Sequence, residues 1–190
     1  MGEKTFTIHF VITGGTIDSH YDGSKDTAVP NKESVIPSFI ESLKLYHGAE
    51  FTTVCMKDSR GLKREDLENV LKTIEESKHN KIIVTHGTYT MPDTARFLKA
   101  NLKRDDQTIV LTASTIPING FAPSDGPFNL GYAISKLEDL EQNLSNYDDL
   151  RIIAYSVVSK TGIKKAPDIA EIALSGNLQE KFSLVKELMN

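Results

Sequence analysis

The chain has 190 residues, a formal charge of −4 and a pI near 5.7, a balance that argues against nucleic acid or an anionic membrane as its main partner. Its 39% hydrophobic and 25% charged residues describe an ordinary soluble chain, long enough to bury a full core. The lone cysteine, Cys55, rules out an internal disulfide and fits a reducing, cytoplasmic compartment.

Met1–Lys4 is followed by no signal-peptide core, and no run nears the roughly eighteen apolar residues of a membrane span. The expectation is a chain with neither. Thr5 to Ile12 reads as the first strand, rich in β-branched and aromatic residues. Gly14 and Gly15 then free the backbone for a tight turn. Asp18 to Pro30 is polar and reads as a mobile loop or lid. Asn31 is a candidate cap for a helix carrying Val35, Ile36, Phe39, Ile40 and Leu43, with Gly48 near its end. Pro37 suits that helix only if it starts later than Asn31.

Phe51 to Met56 is a second strand, and Lys57 to Gly61 a loop. Leu67, Val70, Leu71 and Ile74 fall at helical spacing, with charges opposite. Lys81 to Thr85 is a short apolar third strand, the pattern of a strand covered on both faces. Pro92 suits the first turn of a helix running to Leu102. Thr108 to Leu111 is a fourth strand, Thr112 to Asp125 a loop, and Asp125-Gly126-Pro127 the opening of another helix. Arg151 to Val158 is a fifth strand, and Asp168 to Asn190 reads as two short helices. Strands alternating with helices imply a mainly parallel sheet with helices on both faces. The expected architecture is a three-layer, flavodoxin-like α/β domain, one domain over residues 1–190.

Two hydroxyl-rich stretches end buried strands: Thr13-Gly14-Gly15-Thr16 and Thr85-His86-Gly87-Thr88. In a parallel sheet both would open onto the same end, where open α/β sheets bind ligands. Glycines let backbone N–H groups approach a carboxylate or an oxyanion. A threonine hydroxyl is a weak nucleophile and needs a base or a relaying hydroxyl. A plain βα turn would produce the first stretch equally well. It is neither a dinucleotide fingerprint nor a phosphate-binding loop. Lys160, Lys164 and Lys165 are candidate bases by position alone, each equally readable as a surface lysine. Asp58 and Ser59 end another strand at the same end, where loop capping is the simpler role. His86 reads as structural, and the five histidines show no paired ligand spacing, so no metal is expected. Cys55 lies in an apolar run and reads as a buried small side chain.

Thr13-Gly14-Gly15-Thr16-Ile17, Thr85-His86-Gly87-Thr88-x-Thr90-Met91 and Ser124-Asp125-Gly126-Pro127-Phe128-Asn129-Leu130 together resemble the bacterial-type L-asparaginase/glutaminase family. The resemblance runs from about Phe6 to Ser159 and is to that family's N-terminal domain; the second, smaller domain is expected to be absent. It implies hydrolysis of a side-chain amide through an acyl-threonine, with no cofactor. In that family Thr16 would be the nucleophile and Tyr21 the loop tyrosine that helps activate it. Asp58 and Ser59 would grip the substrate's α-carboxylate, with Gly15, Gly87 and position 89 lining the site. Thr88 would be the second catalytic threonine, paired with Lys164 or Lys165. Where the family carries an aspartate that binds the substrate's α-ammonium, this chain carries Tyr89. An uncharged phenol cannot replace that ion pair, a loss of about 1.5–3 kcal/mol or about tenfold to a hundredfold in binding. The expected function is therefore an asparaginase-like amidohydrolase acting on asparagine or a related small amide. The alternatives are a catalytically impaired member that binds a small ligand or partner protein, and, more weakly, a nucleotide- or flavin-binding domain. The family's dimers of dimers imply some self-association.

Overall fold

The computed structural model describes residues 6–120, 122–143 and 152–155. Five strands form one sheet: β1 (Thr7–Gly14), β4 (Gly48–Lys57), β5 (Lys81–Thr85), β6 (Thr108–Thr112) and β7 (Ile152–Tyr155). Their order is β4-β1-β5-β6-β7, and every neighbouring pair runs parallel. Counted within this sheet alone, that is the 2-1-3-4-5 order of flavodoxin-like doubly wound folds. The order reverses between β1 and β5, which makes their carboxyl ends the topological switch point.

Alternation along the strands sorts the core into two layers. Ile8, Phe10, Ile12, Ile83 and Val110 face one way and pack against Ile36 and Ile40 of α1 (Ile36–Ser42) and Leu130, Ala133 and Leu137 of α4 (Gly126–Asn143). Val11, Ile82, Val84, Ile109 and Leu111 face the other way, against Val70 and Ile74 of α2 (Arg64–Glu75) and Met91, Ala95 and Leu98 of α3 (Met91–Asn101). The result is the expected three-layer α/β arrangement. Each fully buried aliphatic side chain contributes about 1.5–3 kcal/mol, so this double-sided core fixes the strand register.

Three local expectations change. The stretch read as a loop over Asp18 to Pro30 contains an antiparallel hairpin, β2 (Ser19–Asp22) and β3 (Thr27–Pro30). It turns through Asp22, whose carboxylate accepts from the amide and hydroxyl of Ser24. Second, α1 begins at Ile36, with Pro37 in its first turn where a missing N–H costs nothing. Asn31 is not its cap; the Asp18 carboxylate accepts from the Val35 amide at 2.8 Å. Third, Gly48 opens β4 and does not end a helix. A Cβ there would lie 2.3 Å from Thr7 Oγ1, so a larger residue would have to displace the Thr7 side chain for β4 to close on β1.

Candidate active site

The loops after β1, β4 and β5 meet at the switch point, and glycine makes the meeting possible. Gly14 and Gly15 have φ of 91° and 80°, a region where other residues are strained. A Cβ on Gly15 would lie 2.4 Å from the Gly87 nitrogen, and one on Gly87 would lie 2.6 Å from Ser59 Oγ. The β1 and β5 loops therefore touch backbone to backbone, and the β4 loop packs on the second of them. The Gly15 amide donates to the Lys57 carbonyl at 2.9 Å. Thr13 Oγ1 donates to the Thr85 carbonyl at 2.8 Å, and the His86 amide to the Thr112 carbonyl at 2.9 Å. These bonds tie the ends of β1, β5 and β6 together.

Thr16 follows Gly15 directly and starts a 3₁₀ turn, Thr16–Asp18. The Gly15 carbonyl accepts from the Asp18 amide and from Ser19 Oγ, which holds this turn against the glycines. Thr88 follows Gly87 in the same way. Both threonines are half-buried and each follows directly on one of the two glycines that touch. Thr90 Oγ1 donates to the Ser59 carbonyl at 2.9 Å, closing the β5 loop onto the β4 loop.

His86 supports this loop and is not a base within it. Burial pushes its pKa below the usual histidine value. Nδ1 faces the Gly87 carbonyl at 2.8 Å, which only accepts, so the neutral ring carries its proton on Nδ1. Nε2 then accepts from Thr94 Oγ1 at 2.9 Å. Cys55 is likewise excluded as a nucleophile: burial pushes its thiol up to about 11, so it stays protonated. Lys57, at the end of β4, is held charged by both carboxylate oxygens of Asp66 at 2.7 and 2.9 Å. It cannot serve as a proton acceptor.

Asp58 caps the turn at Ser59–Gly61 by accepting from the Arg60 amide. Its two oxygens also take the Arg60 fork, Nε at 2.9 Å and Nη2 at 3.1 Å, and this hydrogen-bonded pairing holds the carboxyl below its usual range. The guanidinium lies 4.7 Å from the centre of the Tyr89 ring, which is 71% exposed. Sequence reasoning assigned Arg60 no role, because its partner Tyr89 comes from a different strand's loop. Tyr21 lies on β2, and its phenol donates to Asp26 within its own hairpin. Lys160, Lys164 and Lys165 lie outside the described residues.

The loop after β6 adds a further support. The buried Asp125 carboxylate accepts from the Thr115 and Ile116 amides at 2.9 Å each, and Asn129 Nδ2 donates to the Ala113 carbonyl at 2.7 Å. This explains the Ser124–Leu130 motif as a brace for the loop beside the switch point.

Residues 7–145 match the family model "Asparaginase, N-terminal". The chain belongs to the asparaginase family. L-asparaginase 2 of Bacillus subtilis (strain 168) is 31% identical over 146 residues, covering 67% of this chain and 36% of that protein. The chain thus spans about a third of that relative's length. Among the described residues no helix is long and apolar enough to cross a membrane.

Proposed function

We propose that this asparaginase-family chain is an amidohydrolase that hydrolyses the side-chain amide of L-asparagine or a related small amide through Thr16. The observation that carries this reading is the glycine contact at the switch point, which sets Thr16 and Thr88 beside the same pair of touching loops. Membership of the asparaginase family supports the reaction class, and the partial span of the Bacillus subtilis relative leaves substrate and assembly to experiment.

Thr16 Oγ adds to the amide carbonyl carbon as its proton passes to a base. The tetrahedral intermediate expels ammonia, which takes a proton as it leaves. Water then adds to the acyl-Thr16 ester and releases the carboxylate and the free hydroxyl. The half-buried backbone beside Gly15 and Gly87 offers donors for the developing oxyanion. Thr88, with Lys164 or Lys165, is the proposed proton relay. Tyr21 is the proposed cover, reaching the nucleophile if the hairpin folds over the bound substrate. Ser59 is the proposed grip on the substrate's carboxylate, with Asp58 positioning its turn by accepting from Arg60. No cofactor is required, and the chain self-associates.

Ammonia release from L-asparagine and related amides by wild type, Thr16→Ala and Tyr89→Asp tests this directly. Wild-type turnover that falls at least about a thousandfold in Thr16→Ala is expected. Turnover that survives in Thr16→Ala would remove Thr16 from the role. Silence from all three would remove the activity.

A further inference from the structure

We infer that Arg60, stacked on Tyr89, sets the substrate class of this site: ω-amides whose second end is a carboxylate with no free α-ammonium beside it. This inference rests on the proposed amidohydrolase reading and narrows its substrate.

The argument is an inventory of charge around Ser59 and Gly87. An ammonium group needs a carboxylate or several carbonyls to replace its water. Among the described residues, Asp58 is the carboxylate next to Ser59 in the chain, and it is already committed to the Arg60 amide, Nε and Nη2. Tyr89, next to Thr88, carries an uncharged phenol and supplies a π face to the guanidinium at 4.7 Å. The Asp58 fork on one edge and the Tyr89 ring on one face fix the guanidinium in orientation. Its Nη1 edge has no acceptor among the described residues, although the side chain is 63% exposed. A fixed guanidinium with a free edge accepts a carboxylate and repels an ammonium.

Ser59 points to a ligand independently. Its residue is 3% exposed, and its Oγ has no hydrogen-bond partner among the described residues. That hydroxyl packs directly on Gly87, one residue before Thr88. Buried hydroxyls without partners are uncommon and call for an explanation. A carboxylate reaching past Gly87 would take the Ser59 proton on one oxygen and the Arg60 edge on the other. The acceptable substrates are then deamino or α-N-acylated relatives of asparagine, and succinamate is the simplest of them.

The test compares succinamate with L-asparagine, by ammonia release from wild type and by calorimetric binding to Thr16→Ala. The expected result is at least a tenfold preference for succinamate in both assays. Arg60→Ala frees Asp58 to hold an ammonium and should shift the ratio at least tenfold toward asparagine. Tyr89→Asp should shift it the same way, whereas Arg60→Lys should keep part of the preference. A general folding defect would lower both substrates together and leave the ratio unchanged. Preferred binding of succinamate without any ammonia release would retain this inference and overturn the proposed reaction. Preference for asparagine, equal handling of both, or binding of neither would overturn the inference.

Discussion

The two ends of one sheet treat their buried polar groups differently. At the amino end, His9 bonds Ser77 and Thr52, both at 2.8 Å, and His79 bonds Glu50 at 3.0 Å. Gln107 Nε2 there reaches two carbonyls, although its own oxygen is left without a partner. At the carboxyl end, Asp18 Oδ2, Ser59 Oγ, Thr85 Oγ1, Thr112 Oγ1 and Asn129 Oδ1 are buried without a partner among the described residues. An unsatisfied buried group costs about 1–3 kcal/mol, so such a concentration is expensive for stability alone. The amino end pairs most of its buried polar groups within the protein, whereas the carboxyl end, where the proposed site lies, holds most of the unpartnered ones among the described residues.

Substitutions should separate the two ends. The largest effect is expected for Gly15→Ala, which combines a strained φ with a Cβ 2.4 Å from backbone. It should cost about 2–5 kcal/mol, lower Tm by on the order of 10 °C and abolish ammonia release. Asp125→Ala strands the Thr115 and Ile116 amides. Denaturant unfolding should show a loss of about 2–3 kcal/mol.

pH tests both ends together. Burial lowers the pKa of His9 and of His86 below 6.5, so the folded chain binds protons less readily than the unfolded one. Their contribution is therefore fully present above the unfolded value of about 6.5 and is lost as pH falls below it toward the folded values. Tm should fall between about pH 7 and about pH 5, and His9→Gln and His86→Gln should each flatten that fall. Equal slopes in all three proteins would break this account of the histidines. The smallest effect is expected for Thr90→Val, which removes the bond to the Ser59 carbonyl. It should cost about 1 kcal/mol, while moving KM more than stability would suggest.

Much of the fold was legible because apolar periodicity survives in the sequence. Lys81 to Thr85 was bounded correctly, since a strand buried on both faces has nothing but apolar residues between polar ends. The helix through Leu67, Val70, Leu71 and Ile74 was legible from its stripe. The β2–β3 hairpin was not, because Ser19–Asp22 is polar, Thr27–Pro30 is only four residues long and ends in proline, and the Gly-Ser turn between them reads as loop. The bond that holds the entry to α1 was not legible because its acceptor, Asp18, lies seventeen residues before Val35.

At the candidate site, the diglycine and the two threonines were visible as local sequence. What the glycines are packed against was not. Gly15 needs to be glycine because of Gly87, and Gly87 because of Ser59, and only the parallel pairing of β1 with β4 and β5 creates those contacts. Arg60 was overlooked for the same reason: its stack on Tyr89 joins loops that follow different strands. Lys164 and Lys165 remain candidates from sequence.

The most direct test of the difference between the two ends is a titration of ¹⁵N-labelled Thr16→Ala with succinamate, following backbone amide shifts. The account predicts perturbations at Gly14–Ile17, Ser59–Gly61 and Gly87–Thr90, with His9, Ser77 and His79 unmoved. Perturbations centred on the amino end, or none at either end, would contradict it.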